Sequence, residues 1–556
     1  MNVSEIIVKI LEKEGISDAF GIPGAGINGL YKYLEKSNKI DHYTVRHEEC
    51  AVHAAGGYYR ASGKIAAALC TSGPGATNFV TGIYTANIDS IPIIAITGQA
   101  VTSQLGKDAF QCVDIAKICE PIAKATYCIT DVSNVVKTFQ EAFKKAREGK
   151  PGPVVIDLPL DIQLADIDYN MEEYEVLNYD FPKAEEKDIK KAVEMLKESE
   201  SPVIIMGGGV VLADSCDLLV KFAEKMQIPV ITTYMAKGGI PENHPLNAGH
   251  AGIQVGQPIG NKVLLDSDLI LGVGCRFTDR HTGDIKVYKG NRKFIHINIE
   301  KNEIDKIIKA DLGIVSDAKY AVKALLKEAE TERNTESSDK RIKELQILKK
   351  ELERKTDYKC VPIKPQRVFK ELNDYFDDEI MYTTGCGITQ IWSGQLQKIN
   401  KPRKYLASGG AGTLGYDIPT AFGAMIADKG RKAVAVMGDF GFTFHAQELA
   451  VAAKYKVPLI VVLVNNAYLG LIRQNQKYAY GYEYGVEMKE NHTMMDYIKV
   501  AEGLACAGER VFEPDKIKEA LDRAYKSEVP YIIDIVVEEG ADCSMGVAID
   551  AIREFV

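Results

Sequence analysis

The sequence lacks the features that mark several common classes of protein. Its 11 cysteines include no CxxC pair and no regular spacing, which indicates neither a disulfide framework nor a zinc site. Apolar runs such as residues 457–464 fall well short of the ~20 residues that a membrane helix needs. There is no excess of basic residues either: 68 Lys and Arg against 77 Asp and Glu give a net charge of −9. Nothing therefore favours binding to nucleic acid or to an anionic membrane.

The first residues are typical of a folded domain. Val3, Ile6, Ile7, Ile10 and Leu11 recur at helical spacing with acidic residues between them, which predicts an amphipathic helix and not a signal peptide. We therefore expect a soluble, cytoplasmic protein whose partners are neither nucleic acids nor membranes.

The length and the pattern of apolar residues predict an α/β fold. A chain of 556 residues exceeds what one hydrophobic core supports. Three stretches repeat the same order of short β-branched runs, glycine-rich turns and amphipathic helices, which is typical of parallel sheets with helical crossovers. We predict three doubly wound parallel-sheet domains over residues 1–165, 189–328 and 364–540, followed by a tail over residues 541–556. The charged stretch 328–359 predicts an exposed helix and a linker.

The third domain carries the most specific motif. Gly438 and Asp439 follow an apolar strand, and Asn466 ends the next strand, 27 positions after Asp439. A strand–helix–strand unit fits that interval, so both polar side chains should lie at the carboxyl edge of one parallel sheet, where ligands bind. Carboxylate and amide oxygens suit Mg²⁺, and the main-chain carbonyl of Tyr468 would add a third ligand. The alternative is a helix cap at Gly438-Asp439 and a simple turn at Asn465-Asn466.

The first domain offers a candidate acid. An Arg-His-Glu run ends at Glu48, where a strand gives way to a helix. A carboxylate at a helix N-terminus is favoured by the helix dipole, and this alone would explain Glu48 and Glu49. Two glycine-rich turns, residues 71–78 in the first domain and 407–414 in the third, allow the backbone to approach a ligand closely.

Together these motifs resemble those of thiamine-diphosphate (ThDP) enzymes, in which a Gly-Asp-Gly motif precedes an Asn-Asn pair at a similar interval. Phe440 replaces the last glycine here, which affects the loop more than the metal ligands. The resemblance implies that Glu48 activates the pyrimidine ring of the coenzyme, that Gln111 hydrogen-bonds the substrate as a second catalytic residue, and that Leu414 supports the bent coenzyme. The implied ThDP contacts are Ser72, Asn78, Gly385, Gly412, Leu414, Gly438, Asp439 and Asn466. The implied Mg²⁺ ligands are Asp439, Asn466 and Tyr468.

The same resemblance implies an oligomer. In this family the site forms between the first domain of one subunit and the third domain of another. We therefore expect a homodimer or a homotetramer with active sites at the subunit interface.

The second domain resembles that of the acetolactate synthase branch, which binds FAD as a mainly structural cofactor. Its Gly-Gly-Gly run at residues 207–209 follows an apolar strand but lacks the GxGxxG fingerprint, so alone it favours a tight turn as much as a nucleotide site. Arg276 and Arg280 are candidates for the flavin phosphates, with surface salt bridges as the alternative. The implied FAD contacts are Gly207, Gly208, Gly209, Thr233, Met235, Arg276, Arg280, Asn298, Asp317 and Ala318.

Within this branch the chain is most similar to glyoxylate carboligases, over essentially its whole length. Leu160 and Asn475 occupy positions where acetolactate synthases typically carry Lys and Trp. In contrast, Glu48 occupies the position where glyoxylate carboligases resembling this chain carry Val. The resemblance implies a small 2-oxo acid substrate in a pocket shaped by Phe110, Leu471 and Ile472, with a place in the hydrophobic core as the alternative for Leu471 and Ile472.

The expected reaction is therefore decarboxylation of glyoxylate and its ligation to a second glyoxylate, giving tartronate semialdehyde and CO2. The alternatives are an acetolactate synthase acting on pyruvate, a simple 2-oxo acid decarboxylase, and a non-catalytic scaffold or regulatory subunit. The joint presence of Glu48, Asp439 and Asn466 argues against the last of these.

Overall fold

A computed structural model describes residues 1–329 and 336–555. Within them the chain forms three six-stranded sheets in sequence order, and every pair of neighbouring strands in these sheets is parallel. Helices connect the strands, as parallel pairing requires. The prediction of an α/β fold with three doubly wound domains is confirmed. Across the described ranges, no helix combines the length and apolar character needed to cross a bilayer.

The first domain contains six strands and eight α-helices. The strands are β1 Asp18–Gly21, β2 Asp41–Thr44, β3 Ala67–Cys70, β4 Ile94–Gln99, β5 Ala125–Cys128 and β6 Val154–Pro159. The helices are α1 Val3–Lys13, α2 Asn28–Leu34, α3 Glu48–Ser62, α4 Pro74–Thr77, α5 Phe79–Ile88, α6 Ile115–Cys119, α7 Val135–Arg147 and α8 Leu160–Leu164. The strand order is β2-β1-β3-β4-β6-β5, and the central strands β3 and β4 are buried along their whole length. Both are rich in apolar residues because helices cover both faces of the sheet.

The second domain has the strand order of a dinucleotide-binding fold. Its strands are β7 Pro202–Met206, β8 Val230–Thr232, β9 Asn247–His250, β10 Leu269–Val273, β11 Lys293–Asn298 and β12 Leu312–Val315. Its helices are α9 Glu186–Glu198, α10 Gly208–Leu212, α11 Cys216–Met226, α12 Pro258–Leu265, α13 Asp279–Thr282, α14 Ile285–Lys289 and α15 Ala318–Glu328. The order β12-β11-β10-β7-β8-β9 reverses direction between β7 and β10, and such a switch point opens a crevice for a ligand.

Helix α16, Glu336–Glu351, follows the second domain. The sequence predicts an exposed helix and linker here, but the helix lies on the second domain. Leu345 is buried, and Gln346 and Lys349 donate hydrogen bonds to the backbone carbonyls of Pro245 and Glu242. Within the predicted segment 328–359, residues 330–335 lie outside the described ranges, and residues 353–359 form no helix or strand.

The third domain repeats the topology of the first. Its strands are β13 Met381–Thr384, β14 Tyr405–Ala407, β15 Ala433–Gly438, β16 Ile460–Asn465, β17 Ala507–Val511 and β18 Tyr531–Val536, in the order β14-β13-β15-β16-β18-β17. Its helices are α17 Pro365–Tyr375, α18 Ile388–Leu396, α19 Asp417–Ala427, α20 Asp439–His445, α21 Glu448–Lys454, α22 Gly470–Asn475, α23 Glu490–Thr493, α24 Tyr497–Gly503 and α25 Ile517–Lys526. A short antiparallel pair, β19 Met545–Gly546 and β20 Ile552–Arg553, forms the tail, which contacts the second domain through a bridge between Gly283 and Ala548.

The first and third domains pack directly against each other through α3 and α19. The backbones touch at two glycines: a Cβ added at Gly57 would lie 2.1 Å from the Thr420 carbonyl oxygen, and one at Gly423 would lie 1.9 Å from the Ala54 carbonyl oxygen. Near the end of α3, the buried Arg60 donates to the Ala407 carbonyl at 2.5 Å. The two outer domains therefore form one continuous core, and any larger residue at either glycine would force the helices apart.

Candidate active site

Glu48 begins α3, and its carboxylate belongs to a small polar cluster in the first domain. Asn78 Nδ2 donates to Glu48 Oε2 at 2.9 Å, so one predicted coenzyme contact directly orients the predicted catalytic acid. A Cβ at Gly75 would lie 3.2 Å from Glu48 Oε1, which means that glycine keeps this oxygen accessible. The adjacent Glu49 differs, because its Oε1 pairs with His53 Nε2 at 3.0 Å. Of the two neighbouring acids, Glu48 is therefore the one that lacks an ion-pair partner among the described residues.

The segment that carries Phe110 and Gln111 packs on the glycine-rich turn beside Glu48. Gln111 has a positive φ of 56°, and a Cβ at Gly73 would lie 2.7 Å from Gln111 Cβ. Hydrogen bonds hold both ends of the segment: Asp161 Oδ1 accepts from the Thr102 N–H at 2.9 Å, and Gln99 Nε2 donates to the Val113 carbonyl at 2.7 Å. The structure thus brings Gln111 beside the turn that holds Ser72, whereas Phe110 extends from the surface with 88% of its area exposed.

Asp439 and Asn466 lie at the carboxyl edge of the third sheet, as their spacing predicts. Gly438 at the end of β15 is in register with Val464 near the end of β16, so the residues after these strands are neighbours. Both side chains are buried, at 1% and 2% exposure. Burial raises the pKa of the Asp439 carboxyl to about 6. A cation placed beside such a buried carboxylate strongly stabilises its charged form.

The surroundings of Asn466 leave its amide available. Its Nδ2 atom is buried and has no hydrogen-bond partner within the described ranges, which is unusual for a buried amide. A Cβ at Gly470 would lie 2.7 Å from that atom, so the glycine makes room for the amide. The Tyr468 carbonyl lies in the turn between these residues and accepts the Gly470 N–H at 2.7 Å.

Two loops complete this edge of the third sheet. Gly385 follows β13, and its N–H donates to the buried Asp417 Oδ1 at 2.5 Å, while burial raises the pKa of that carboxyl to about 7. Gly412 lies in the turn after β14 with a positive φ of 63°, a backbone conformation that glycine adopts without strain.

Leu414 is half-buried, with its Cδ2 3.7 Å from the position of a Cβ at Gly441 in α20. It belongs to none of the hydrophobic clusters among the described residues.

The two residues predicted to shape the substrate pocket from α22 differ in their surroundings. Leu471 packs against the core of the third domain, whereas Ile472 is 53% exposed. The structure therefore gives Leu471 a packing role within the chain and leaves Ile472 as the member of the pair that faces outward.

A cavity of about 1160 Å³ opens at the switch point of the second sheet. Nine of the ten residues predicted to contact FAD line it: Gly208, Gly209, Thr233, Met235, Arg276, Arg280, Asn298, Asp317 and Ala318. Gly207 does not; its N–H donates to the Val273 carbonyl, and a Cβ there would lie 2.2 Å from the Gly274 oxygen, so it serves backbone packing. The lining contains ten Lys and Arg against five Asp and Glu, a balance that favours an anionic ligand.

Arg280 connects this cavity to the third domain. Its guanidinium donates to Gln254 at 2.5 Å and to Gln390 Oε1 at 3.4 Å. Gln390 Nε2 in turn donates to the Gly385 and Ser408 carbonyls, in the two loops that flank the third sheet. Arg276 forms no hydrogen bond or ion pair with any described residue, and Arg280 bonds to two glutamines, so the surface salt bridges considered for both arginines are not formed among the described residues.

Several residues of the site are not evident from the sequence. Asn491 Nδ2 donates to Asp439 Oδ2 at 2.6 Å, although 52 positions separate the two residues. Asp417 and Gln390 likewise hold the loop at Gly385. None of the three belongs to a recognisable motif. Asp417 and Gln390 could have been identified as polar residues within otherwise apolar helical stretches, whereas Asn491 has no such signal.

Comparisons with known proteins agree with this geometry. Three domain families of thiamine pyrophosphate (TPP) enzymes match the chain. They are the N-terminal TPP binding domain over residues 1–118, the central domain over 189–325 and the C-terminal TPP binding domain over 385–535. The chain belongs to the thiamine pyrophosphate enzyme family, and it is a ThDP-dependent enzyme of the carboligase and decarboxylase class.

Individual relatives are similar over nearly their full lengths. A glyoxylate carboligase of Escherichia coli O157:H7 is 43% identical, and the match covers 100% of this chain and 96% of the relative. A probable acetolactate synthase large subunit of Methanocaldococcus jannaschii is 40% identical, covering 97% of this chain and 92% of its own length. A second such subunit, from Methanococcus aeolicus, is 38% identical over 98% of this chain and 93% of its own length.

Proposed function

We propose that this protein decarboxylates glyoxylate and joins the remaining carbon to a second glyoxylate, forming tartronate semialdehyde and CO2. The observation that carries the proposal is the full-length similarity, at 43% identity, to a protein named as a glyoxylate carboligase. Leu160 and Asn475 support it, because acetolactate synthases typically carry Lys and Trp there.

The residues at the edge of the third sheet fit a Mg²⁺-bound diphosphate. Asp439 offers a buried carboxylate, Asn466 the amide oxygen of a buried side chain, and Tyr468 a main-chain carbonyl. Oxygen donors of this kind, together with phosphate oxygens, are what Mg²⁺ prefers. When bound, ThDP supplies the carbon nucleophile and the electron sink for decarboxylation. The role of this chain is to hold the diphosphate here and to place Glu48 against the pyrimidine ring.

Glu48 and Asp439 are proposed to meet across a subunit interface. The hydrogen-bond partner of the Glu48 carboxylate lies in the first domain, and that of the Asp439 carboxylate lies in the third. The large exposed area of Phe110, next to Gln111, also favours a second subunit or a substrate at this surface. A homodimer or homotetramer would supply both halves of each site.

FAD is proposed as the ligand of the central cavity, with a structural role. The cavity volume of about 1160 Å³ accommodates a dinucleotide, and the excess of basic side chains matches its diphosphate. Arg276 is the clearest candidate for a phosphate contact, because its guanidinium forms no hydrogen bond or ion pair with any described residue, whereas Gln254 and Gln390 hold Arg280.

Arg276→Gln should weaken FAD binding by about 10- to 100-fold, because it removes one charge-assisted hydrogen bond. The measurement is the flavin absorbance that remains with the protein after gel filtration, followed by titration with FAD. Arg403→Gln is the matched control: Arg403 lines the same cavity, but Asp214 already holds its guanidinium at 2.9 Å. Equal flavin affinity in the Arg276 variant and the wild type would contradict the assignment of this arginine.

Acetolactate synthesis from pyruvate is the second candidate, and Glu48 is the observation that favours it. Known glyoxylate carboligases resembling this chain carry an apolar residue at that position, whereas Glu48 here has the hydrogen bond from Asn78. Relatives named as acetolactate synthases also reach 40% identity.

Product analysis separates these candidates. Purified protein with ThDP, Mg²⁺ and FAD is given glyoxylate alone or pyruvate alone, and the products are identified by mass spectrometry. We expect tartronate semialdehyde from glyoxylate, with kcat/KM for pyruvate lower by about tenfold or more because the donor pocket must reject a methyl group. Acetolactate as the dominant product would favour the second candidate, and free aldehyde alone would indicate a simple decarboxylase.

A further inference from the structure

The fold assembles a cluster of metal-ligating side chains that lies apart from the proposed Mg²⁺ residues. His47 and Cys50 come from the start of α3, and His445 comes from the end of α20 in the third domain. One ligand atom from each lies within 4.8 Å of the other two. Cys50 and His445 are buried, whereas His47 is only partly buried and leaves an approach from the surface.

His445 has the arrangement of a metal-ligating histidine. Its Nδ1 lies 3.1 Å from the Gly415 carbonyl oxygen, which can only accept, so Nδ1 carries the proton. The lone pair on Nε2 then faces the cluster, 3.9 Å from Glu49 Oε2. Metal-binding histidines commonly donate their second ring N–H to a backbone carbonyl in this way.

The surrounding charges favour a cation. Glu49 faces His445, and the buried Glu448 faces the Cys50 thiol and accepts the Arg46 N–H at 2.8 Å. Glu49 also pairs with His53, but a buried acidic group beside Cys50 and a partly buried one beside His445 favour a positive charge between them.

We propose that His47, Cys50 and His445 bind Zn²⁺ or a similar borderline divalent ion, with solvent as the fourth ligand. Thiolate and imidazole select such ions, whereas Mg²⁺ prefers the oxygen ligands near Asp439. Binding forms a metal–sulfur bond and releases the Cys50 thiol proton to solvent, so the reaction needs no oxidant or reductant.

Occupation of this site changes the start of α3. His47 is the N-cap residue of the helix, and its Nδ1 accepts the Glu49 N–H at 3.2 Å. A metal on Nδ1 replaces that bond directly, and a metal on Nε2 requires a protonated Nδ1, which can no longer accept. In either case α3 loses the N-terminal capping hydrogen bond from the Glu49 N–H to His47, next to Glu48. The metal-bound protein is therefore the less active form if Glu48 acts in catalysis, a consequence that rests on the proposed function.

The binding test uses Co²⁺ as a spectroscopic substitute for Zn²⁺, with Mg²⁺ in excess to occupy oxygen sites. Wild-type protein should show a sulfur-to-metal absorption band that Zn²⁺ removes by competition. Cys50→Ser should lose this absorption band because the metal-bound sulfur is gone. Both Cys50→Ser and His445→Gln should bind Co²⁺ at least about 100-fold more weakly than the wild type. Cys119→Ser, which changes a buried cysteine outside the cluster, should behave as wild type. Absence of the band in wild type, or its persistence in Cys50→Ser, would overturn the site.

Turnover is measured separately, so failure of the proposed function does not obscure the binding result. With Mg²⁺ and ThDP saturating, Zn²⁺ should inhibit the wild type, and Cys50→Ser should raise the inhibitory concentration by about the same factor as it weakens Co²⁺ binding. Equal inhibition of both proteins would place the inhibitory ion elsewhere and would overturn the coupling to α3.

Discussion

Glu48→Gln should lower turnover by about 10²- to 10⁴-fold, the range that a positioned acid or base contributes. The amide has nearly the shape of the carboxylate and can still accept from Asn78, so the fold and the coenzyme site should persist. What is lost is the ionisable oxygen that faces the space beside Gly75. The measurement is CO2 release under saturating ThDP and Mg²⁺, together with the dissociation constant of ThDP.

Glu49→Gln is the comparison that makes this result specific. Glu49 Oε1 pairs with His53 Nε2 at 3.0 Å. Burial raises the pKa of the Glu49 carboxyl, but the hydrogen bond from His53 and the charges of nearby histidines lower it more, so the pKa lies below its usual range. Its replacement should lower the unfolding temperature more than it lowers turnover. If the two variants lost the same fraction of activity, or if Glu48→Gln remained fully active, Glu48 would not be the activating acid.

Asp439→Ala should raise the dissociation constant of ThDP by at least about 100-fold in the presence of Mg²⁺, because it removes the only carboxylate among the proposed metal ligands. Asn491→Ala leaves the carboxylate in place but removes its 2.6 Å hydrogen bond, so a smaller effect of about tenfold is expected. The order of the two effects distinguishes a ligand from the residue that orients it.

Intrinsic fluorescence offers a direct measurement for this series. Trp392 is the only tryptophan of the chain, and it lies on α18, whose first residue Ile388 is near Gly470 and Asn466. ThDP titration should change its emission in the wild type and require far higher concentrations in Asp439→Ala. FAD content serves as the control for folding, because the central cavity does not include Asp439. Unchanged ThDP affinity in Asp439→Ala would contradict the proposed diphosphate site.

The positions of the motif residues could be predicted because parallel strands impose them. Once Asp439 and Asn466 follow successive strands of one sheet, their meeting at the carboxyl edge depends only on strand direction. The same reasoning explains why nine of the residues predicted for the second domain line one cavity, since they follow strands of a single sheet. Gly207 is the exception because it lies beneath the turn, against Gly274.

Contacts between distant helices could not be predicted in this way. Asn491 reaches Asp439, and His445 reaches Cys50, only after α20 and α23 have been placed by tertiary packing. The cysteine spacing gave no indication of the proposed zinc site for the same reason: the proposed ligands come from two domains, so no short sequence motif contains them. The contacts of α16 with the second domain also depend on a few side chains, such as Leu345, within a strongly charged segment.

The glycine contacts between α3 and α19 have a consequence for motion. With Gly57 against the Thr420 carbonyl and Gly423 against the Ala54 carbonyl, backbone meets backbone and leaves no side-chain layer that could slide or repack. We therefore expect the two outer domains of the chain to move as a single rigid body, without hinge bending between them. We expect any opening of the site to come instead from surface segments, such as the one around Phe110, which hydrogen bonds hold at both ends and which is exposed at its tip.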